Sequence, residues 1–94
     1  MLYELDCRYD TRASFYGKAK VLEQTMSDWS EKVLYSYDTL VAKIIETKKH
    51  IKYIYEGQYS CTTTRHQKEF FRQNGLSDKE IKELFSKGTL RIEK

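Results

Sequence analysis

The stretch KVLYSYDTLVAKII, residues 32–45, decides the fold class of this chain, because large apolar side chains alternate along it with a period of two. Val33, Tyr35 and Tyr37 share one face. Asp38 and Thr39 then interrupt the pattern, which resumes in the apolar run that follows. Alternation of this kind predicts a half-buried β-strand, and the interruption predicts a bend or bulge at Asp38.

Two further segments, Ala13–Gln24 and Ile51–Tyr55, have the same period and are also predicted to be strands. The alternation places two sets of side chains on opposite faces of the first segment: Phe15, Ala19 and Val21 on one, and Tyr16, Lys18 and Lys20 on the other. The polar connectors, residues 25–31 and 46–50, are too short for parallel crossovers, so the strands are expected to form an antiparallel meander. Trp29, in the first connector, is expected to fold back onto the core.

After Gly57 the hydrophobic period changes toward 3.6, which predicts helices over roughly residues 62–74 and 77–87. Thr62 or Thr63 is the expected cap of the first helix, and Asn74-Gly75 its expected end, in a Schellman turn. Ser77 and Glu80 have the spacing of a capping box at the start of the second helix. Residues 89–94 are expected to form either a short final strand or a loose tail.

The predicted fold class is α+β, an antiparallel sheet of three to four strands over roughly residues 13–60 with a C-terminal helical hairpin packed on one face. With 94 residues, the chain has room for one modest core, so a single domain over residues 1–94 is expected. Proline is absent, which excludes Pro-rich linkers and collagen-like chains. The start of the chain has no signal-peptide pattern and no apolar run is long enough to span a bilayer, so a cytoplasmic location with no membrane contact is expected.

The formal net charge of +3 arises entirely in residues 51–94, which hold nine basic and six acidic residues, since residues 1–50 hold eight of each. A basic surface with interleaved aromatic rings suits single-stranded nucleic acid or an acidic protein. The same residues also fit an ordinary solvated strand and helix stripe. The candidate binding residues are Tyr16, Lys18, Lys20, Tyr59, Arg65, His66, Lys68 and Arg72.

Metal and catalytic sites are not predicted. Cys61 and His66 form the only local pair of soft metal ligands, whereas structural zinc sites use paired motifs. His66 follows three threonines, but no orienting partner for a catalytic imidazole is evident, and a packing or hydrogen-bonding role is expected for it. The chain is therefore expected not to be an enzyme and to need no cofactor, and its two cysteines are expected to be unpaired thiols.

Three blocks of sequence are together similar to a known family: SFYGKAKV at residues 14–21, SYDTLVA at residues 36–42, and YSxTTxRHxKEF at residues 59–70. The chain resembles a family of small uncharacterised proteins found in bacteriophages and mobile elements of low-GC Gram-positive bacteria. The resemblance covers roughly residues 12–76. It implies a phage accessory protein, and it carries over no catalytic or binding residues.

The leading functional hypothesis is a non-enzymatic, phage-encoded protein that inhibits a host defence system, such as CRISPR-Cas, by stoichiometric binding to a protein or ribonucleoprotein effector. Its expected location is the cytoplasm of the infected bacterial host. One alternative is an accessory protein that binds single-stranded DNA or RNA, and another is a homo-oligomerising module such as a homodimer. Tyr35, Tyr37, Tyr53 and Tyr55 are expected to form a cross-strand aromatic cluster that belongs to the fold.

Overall fold

The computed structural model describes residues 1–10, 14–57 and 60–94. The described residues form an α+β fold of six strands and two helices. The elements are β1 (Leu2–Glu4), β2 (Ala19–Thr25), β3 (Trp29–Ser36), β4 (Thr39–Thr47), β5 (His50–Tyr55), α1 (Cys61–Gln73), α2 (Asp78–Lys87) and β6 (Thr89–Glu93). No helix within the described ranges is long and apolar enough to cross a membrane.

The strands form one antiparallel sheet in the order β1-β2-β3-β4-β5-β6, which confirms the predicted meander. The predicted three to four strands were too few, because β1 was missed and residues 32–45 belong to two strands, whereas β6 confirms one of the two alternatives expected for residues 89–94. β1 has only three residues, too few to show a period. β6 follows both helices and pairs back onto β5, with Leu90 opposite Tyr53, so its partner is distant in sequence.

The deciding stretch, residues 32–45, contains two strands rather than one bent strand. Ser36 lies opposite Thr39, and the two residues between them, Tyr37 and Asp38, have positive φ angles of 51° and 68°. These angles define a two-residue hairpin turn of the type that usually contains Asn-Gly, and the sequence Tyr-Asp gave no signal for it. Trp29 opens β3 at 39% exposure, so the prediction that it folds onto the core was wrong.

The segment predicted as a strand over Ala13–Gln24 also contains a tight turn. Tyr16 and Gly17 have φ angles of 53° and 72°, and the Lys18 N–H donates to the Phe15 carbonyl at 3.0 Å. β2 therefore starts at Ala19, and the predicted alternation holds from that residue onward. Ala13 lies outside the described residues.

Both helices agree with their predicted ranges to within one residue. Ser60, rather than Thr62 or Thr63, caps α1, since its hydroxyl accepts a hydrogen bond from the Thr63 N–H. The Schellman turn after α1 and the capping box of α2 are both present. The predicted end of α1 and the predicted start of α2 are therefore confirmed, and the predicted cap of α1 was wrong.

The core lies between the helices and one face of the sheet. Tyr53 packs edge-on against Phe71 at 6.3 Å, and the Tyr55 ring stacks on Phe85 at 4.2 Å. β4 separates these two tyrosines from β3, so the predicted cross-strand tyrosine cluster does not form. The buried hydrophobic cluster consists of Leu5, Phe15, Ala19, Val21, Leu34, Val41, Ala42, Ile44, Tyr53, Phe70, Phe71, Leu76, Ile81 and Leu84.

Candidate functional site

Five of the eight predicted binding residues line two different pockets. Lys18 and Lys20 line a pocket at the end of the sheet where the two tight turns lie, together with Gly17, Tyr35, Tyr37 and Asp38. Arg65, Lys68 and Arg72 line a second pocket beside α1, and the two pockets share no lining residue. Tyr59 lies outside the described residues.

The first group forms what we call the turn site, defined by Tyr16, Gly17, Lys18, Lys20, Tyr35, Tyr37 and Asp38. Its two tight turns lie side by side, because the Tyr37 N–H donates to the Lys18 carbonyl at 2.9 Å and Ala19 lies opposite Ser36. Each turn has a tyrosine as its first central residue. Tyr16 is 76% exposed and Tyr37 is 52% exposed, so the two turns present two phenol rings to solvent.

The backbone of the turn site is strained. Tyr16, Tyr37 and Asp38 are the non-glycine residues with positive φ in the described part of the chain, and all three lie in these two turns. A left-handed conformation costs a non-glycine residue roughly 1 kcal/mol, and Gly or Asn would lower that cost. The exposed ring of Tyr16 recovers little of this energy through packing. A bulky side chain at such a position therefore points to a role outside folding.

The turn site also carries two lysines without ion pairs to described residues, with the Glu4 carboxylate of β1 opposite Lys20. Lys18 and Lys20 are exposed, and neither forms an ion pair with any described residue. They line a pocket of about 260 Å³, in which Asp38 is the acidic residue. The site therefore combines two cations, one carboxylate and aromatic rings, which suits an anionic or acidic partner.

His66 lies beneath both turns and is fully buried. Its ring lies 4.5 Å from that of Phe15, the residue before Tyr16, and 5.9 Å from that of Tyr37. Its Nδ1 atom lies 2.8 Å from the hydroxyl oxygen of Ser36, the residue before Tyr37. The structure thus places His66 as a support for the turn site and not as a surface contact.

The pair of Ser36 and His66 has the residue types of a nucleophile and its base, but it is enclosed. Ser36 is buried and also lies 3.0 Å from the Thr63 hydroxyl, so its oxygen takes part in an interior hydrogen-bond network. A substrate carbonyl cannot approach this oxygen in the described conformation. The pair therefore fits a structural role, since a nucleophile needs access to its substrate.

The second pocket, which we call the helix pocket, has a volume of about 160 Å³ and balanced charges. Arg65 lies 3.6 Å from Asp10. The Arg72 guanidinium pairs with Asp78 and lies over the Tyr9 ring at 5.3 Å from its centre. The remaining lining residues are Lys68, Glu69 and Ile81. Neighbouring carboxylates thus offset much of the positive charge that the sequence predicted for this helix stripe.

Glu69, which the sequence analysis did not single out, is the anchor of the helix pocket. Its side chain is buried, and its Oε1 atom accepts hydrogen bonds from the backbone N–H groups of Tyr9 and Asp10, both at 2.9 Å. Its Oε2 atom accepts from the Gln73 side chain at 2.6 Å. Glu69 thereby ties the segment after β1 to α1. A glutamate within a charged helix gives no sequence signal of such a role.

Comparison with known proteins places the chain in a family without assigning an activity. No curated protein and no solved structure matches it. The model of DUF8033, described as a family of unknown function, matches residues 3–87, which is most of the chain and agrees with the expectation of an uncharacterised family. The chain therefore belongs to the DUF8033 family.

Proposed function

We propose that this chain is a non-enzymatic binding protein whose turn site contacts an acidic surface of a protein partner. The observation that carries the proposal is the strained, exposed Tyr16 beside two exposed lysines that form no ion pair with a described residue. Tyrosine is among the residue types that contribute most to interface energy, and rigid turns reduce the entropy lost on binding. A strained position is tolerable when the ring it presents contributes to binding.

The family resemblance supports a more specific form of the proposal. We propose that the chain is encoded by a bacteriophage or mobile element and inhibits a host defence effector, such as a CRISPR-Cas complex, in the host cytoplasm. Inhibition would require only stoichiometric occupation of the effector. Inhibition by occupation needs no catalytic group, and it fits a chain whose Ser36–His66 pair is buried. The turn site instead exposes two tyrosine rings and two lysines.

Binding of single-stranded DNA or RNA is the second candidate function. It is favoured by the position of Lys18 and Lys20 beside the rings of Tyr35 and Tyr37 in one pocket, because bases stack on aromatic rings while cations contact phosphates. The site offers few cations, however, and strong electrostatic binding of nucleic acid needs many phosphate contacts. The acidic protein partner is therefore preferred.

Purified CRISPR-Cas effector complexes from low-GC Gram-positive bacteria provide the test. We expect the wild-type chain to inhibit target cleavage by one of them at near-equimolar amounts. Tyr16→Asn should weaken inhibition at least tenfold while the protein stays folded by circular dichroism. Tyr9→Asn is the matched control, since Tyr9 is an exposed tyrosine outside the turn site, and it should inhibit like the wild type.

Two outcomes would overturn this proposal. The first is a wild-type chain that neither binds nor inhibits any of the effectors. The second is full inhibition by the Tyr16→Asn variant, which would exclude the turn site as the contact surface. A gel shift of single-stranded DNA or RNA that disappears between low and moderate salt, with no effector bound, would establish the second candidate instead.

A further inference from the structure

The face of the sheet that points away from the helices, which we call the outer face, carries an apolar centre. The strand pairings place Leu22 opposite Val33, Val33 opposite Lys43, and Lys43 opposite Ile54, so these four residues form one row across β2 to β5. Ile45 lies in the next row, opposite Glu31 on one side and Lys52 on the other. An antiparallel sheet facing water usually carries mostly polar residues on that side.

Both helices lie on the other face, where their residues join the buried cluster with inward residues of the strands. Val33 is nonetheless only 3% exposed, so its neighbours on the outer face already pack closely around it. Leu22, Ile45 and Ile54 are each partly exposed. The outer face therefore has a dense apolar centre that no helix covers within the described ranges.

Charges of both signs surround this centre, and one of them, Lys43, lies within its central row, which favours a partner of mixed charge. Lys20, Lys43, Lys52 and Arg91 are the cations of the outer face, and Glu4, Glu31 and Glu93 are its carboxylates. Such a nearly balanced surface gives nucleic acid little electrostatic attraction, and it lets an identical surface approach without strong repulsion. A second copy of this chain carries the same mixture of positive and negative side chains on its own outer face.

The size of the face is compatible with a dimer. The six strands hold 38 residues, so at about 3.3 Å per residue and about 4.8 Å per strand the sheet covers roughly 600 Å². This footprint approaches the roughly 800 Å² per partner of a standard interface. Two sheets that pack face to face also reproduce a common architecture, with interdigitated side chains from the two inner faces.

We propose that the outer face packs against the outer face of a second copy in a two-fold symmetric dimer. Leu22 on β2 and Ile54 on β5 lie in the same row, at equal distances from the middle of the sheet between β3 and β4. A two-fold axis along the strands at that middle line therefore places β2 of one copy over β5 of the other. Leu22 then contacts Ile54 of the partner subunit.

Two opposite charges introduced at Leu22 and Ile54 test this arrangement on the full chain, with dimerisation measured by sedimentation equilibrium. The wild type should form a dimer, and Leu22→Glu or Ile54→Lys alone should raise the dimer dissociation constant at least tenfold. The double variant should recover most of the affinity, because the new opposite charges meet across the interface. Within one copy they cannot pair, since β2 and β5 lie roughly 14 Å apart. Met26→Glu, at an exposed residue outside the strands, is the control and should dimerise like the wild type.

A wild-type chain that stays monomeric at the highest soluble concentration would overturn the dimer, and so would a dimer that both single variants leave intact. If a charged variant fails to fold, cysteines at the exposed positions Gln24 and Lys52 provide a second test in a Cys7→Ser, Cys61→Ser background. Facing sheets lie about 10 Å apart, which is too far for a direct disulfide, so a bismaleimide cross-linker of about that span should join β2 of one copy to β5 of the other. A wild-type-like dimer that gives no covalent dimer with this cross-linker would refute the geometry. Lys20 and Tyr35 belong to both the turn site and the outer face, whereas Tyr16 lies in the turn before β2. The effector test uses Tyr16 alone and the dimer test uses Leu22 and Ile54, so failure of one proposal can be told from failure of the other.

Discussion

The hydroxyl oxygen of Ser36 lies 2.8 Å from the Nδ1 atom of His66, and this contact joins the last residue of β3 to α1. Ser36 immediately precedes the strained turn residue Tyr37, and His66 also packs edge-on against Phe15, which precedes Tyr16. The two exposed tyrosines are therefore supported from the interior through their preceding residues. A rigid support of this kind keeps a surface site in its binding conformation.

Replacing Ser36 by alanine should lower the free energy of unfolding by about 1 to 3 kcal/mol, because it removes a buried partner from both His66 and Thr63. Urea denaturation followed by circular dichroism measures the change. Ser86→Ala on the exposed surface of α2 is the matched control, with an expected change within about 0.5 kcal/mol. Equal effects of the two substitutions would show that the buried contact adds nothing to stability.

Tyr16→Asn should raise the free energy of unfolding by about 0.5 to 1 kcal/mol, since asparagine tolerates the left-handed conformation better than tyrosine. Thermal unfolding at fixed concentration reports the gain. Tyr9→Asn should show no such gain, because Tyr9 does not have a positive φ. A variant that is more stable and yet binds more weakly would separate the binding role of Tyr16 from folding. A loss of stability would mean instead that the Tyr16 ring supports the fold.

The local periodicity of apolar residues was enough to predict most of the fold. It identified the strands around Val21, Val33 and Tyr53 and both helices, because these elements carry their signal within ten or so residues. The hairpin at Tyr37-Asp38 was missed because its turn uses residues that rarely adopt positive φ. The edge strand β1 was missed because its three residues are too few to show a period. Residues 89–94 left a strand and a tail equally open, and only their pairing with β5 decides for the strand.

The candidate site was predicted in part, for a similar reason. Tyr16, Lys18 and Lys20 were identified from their alternation, but the backbone strain that distinguishes Tyr16 is invisible in a sequence. His66 was named among the candidate contacts although a packing or hydrogen-bonding role was also expected for it. The fold buries it completely and confirms that second expectation. Glu69 owes its role to two backbone N–H groups some 60 residues away, which local sequence cannot show.

Removal of the Glu69 carboxylate should loosen the segment after β1. Glu69→Ala leaves the N–H groups of Tyr9 and Asp10 without their acceptor, so we expect a loss of about 2 kcal/mol in the free energy of unfolding. Glu69→Gln keeps one acceptor oxygen and should lose less. Glu83→Ala, on the solvent side of α2, serves as the control. Hydrogen exchange should quicken at Tyr9 and Asp10 in the alanine variant, and unchanged exchange there would contradict this role of Glu69.

Stability should fall at high pH because of Tyr3. Burial, together with the neighbouring carboxylate of Glu23, raises the pKa of Tyr3 to about 12. An unfolded tyrosine deprotonates near pH 10, so the unfolded state loses its proton first as the pH rises. The contribution of Tyr3 is therefore complete below about pH 10 and is lost progressively toward pH 12. Denaturation curves from pH 9 to 12 should show this decline, and Tyr3→Phe, which cannot ionise, should make it shallower. Identical slopes in the two proteins would show that the Tyr3 hydroxyl titrates in the same way in both states.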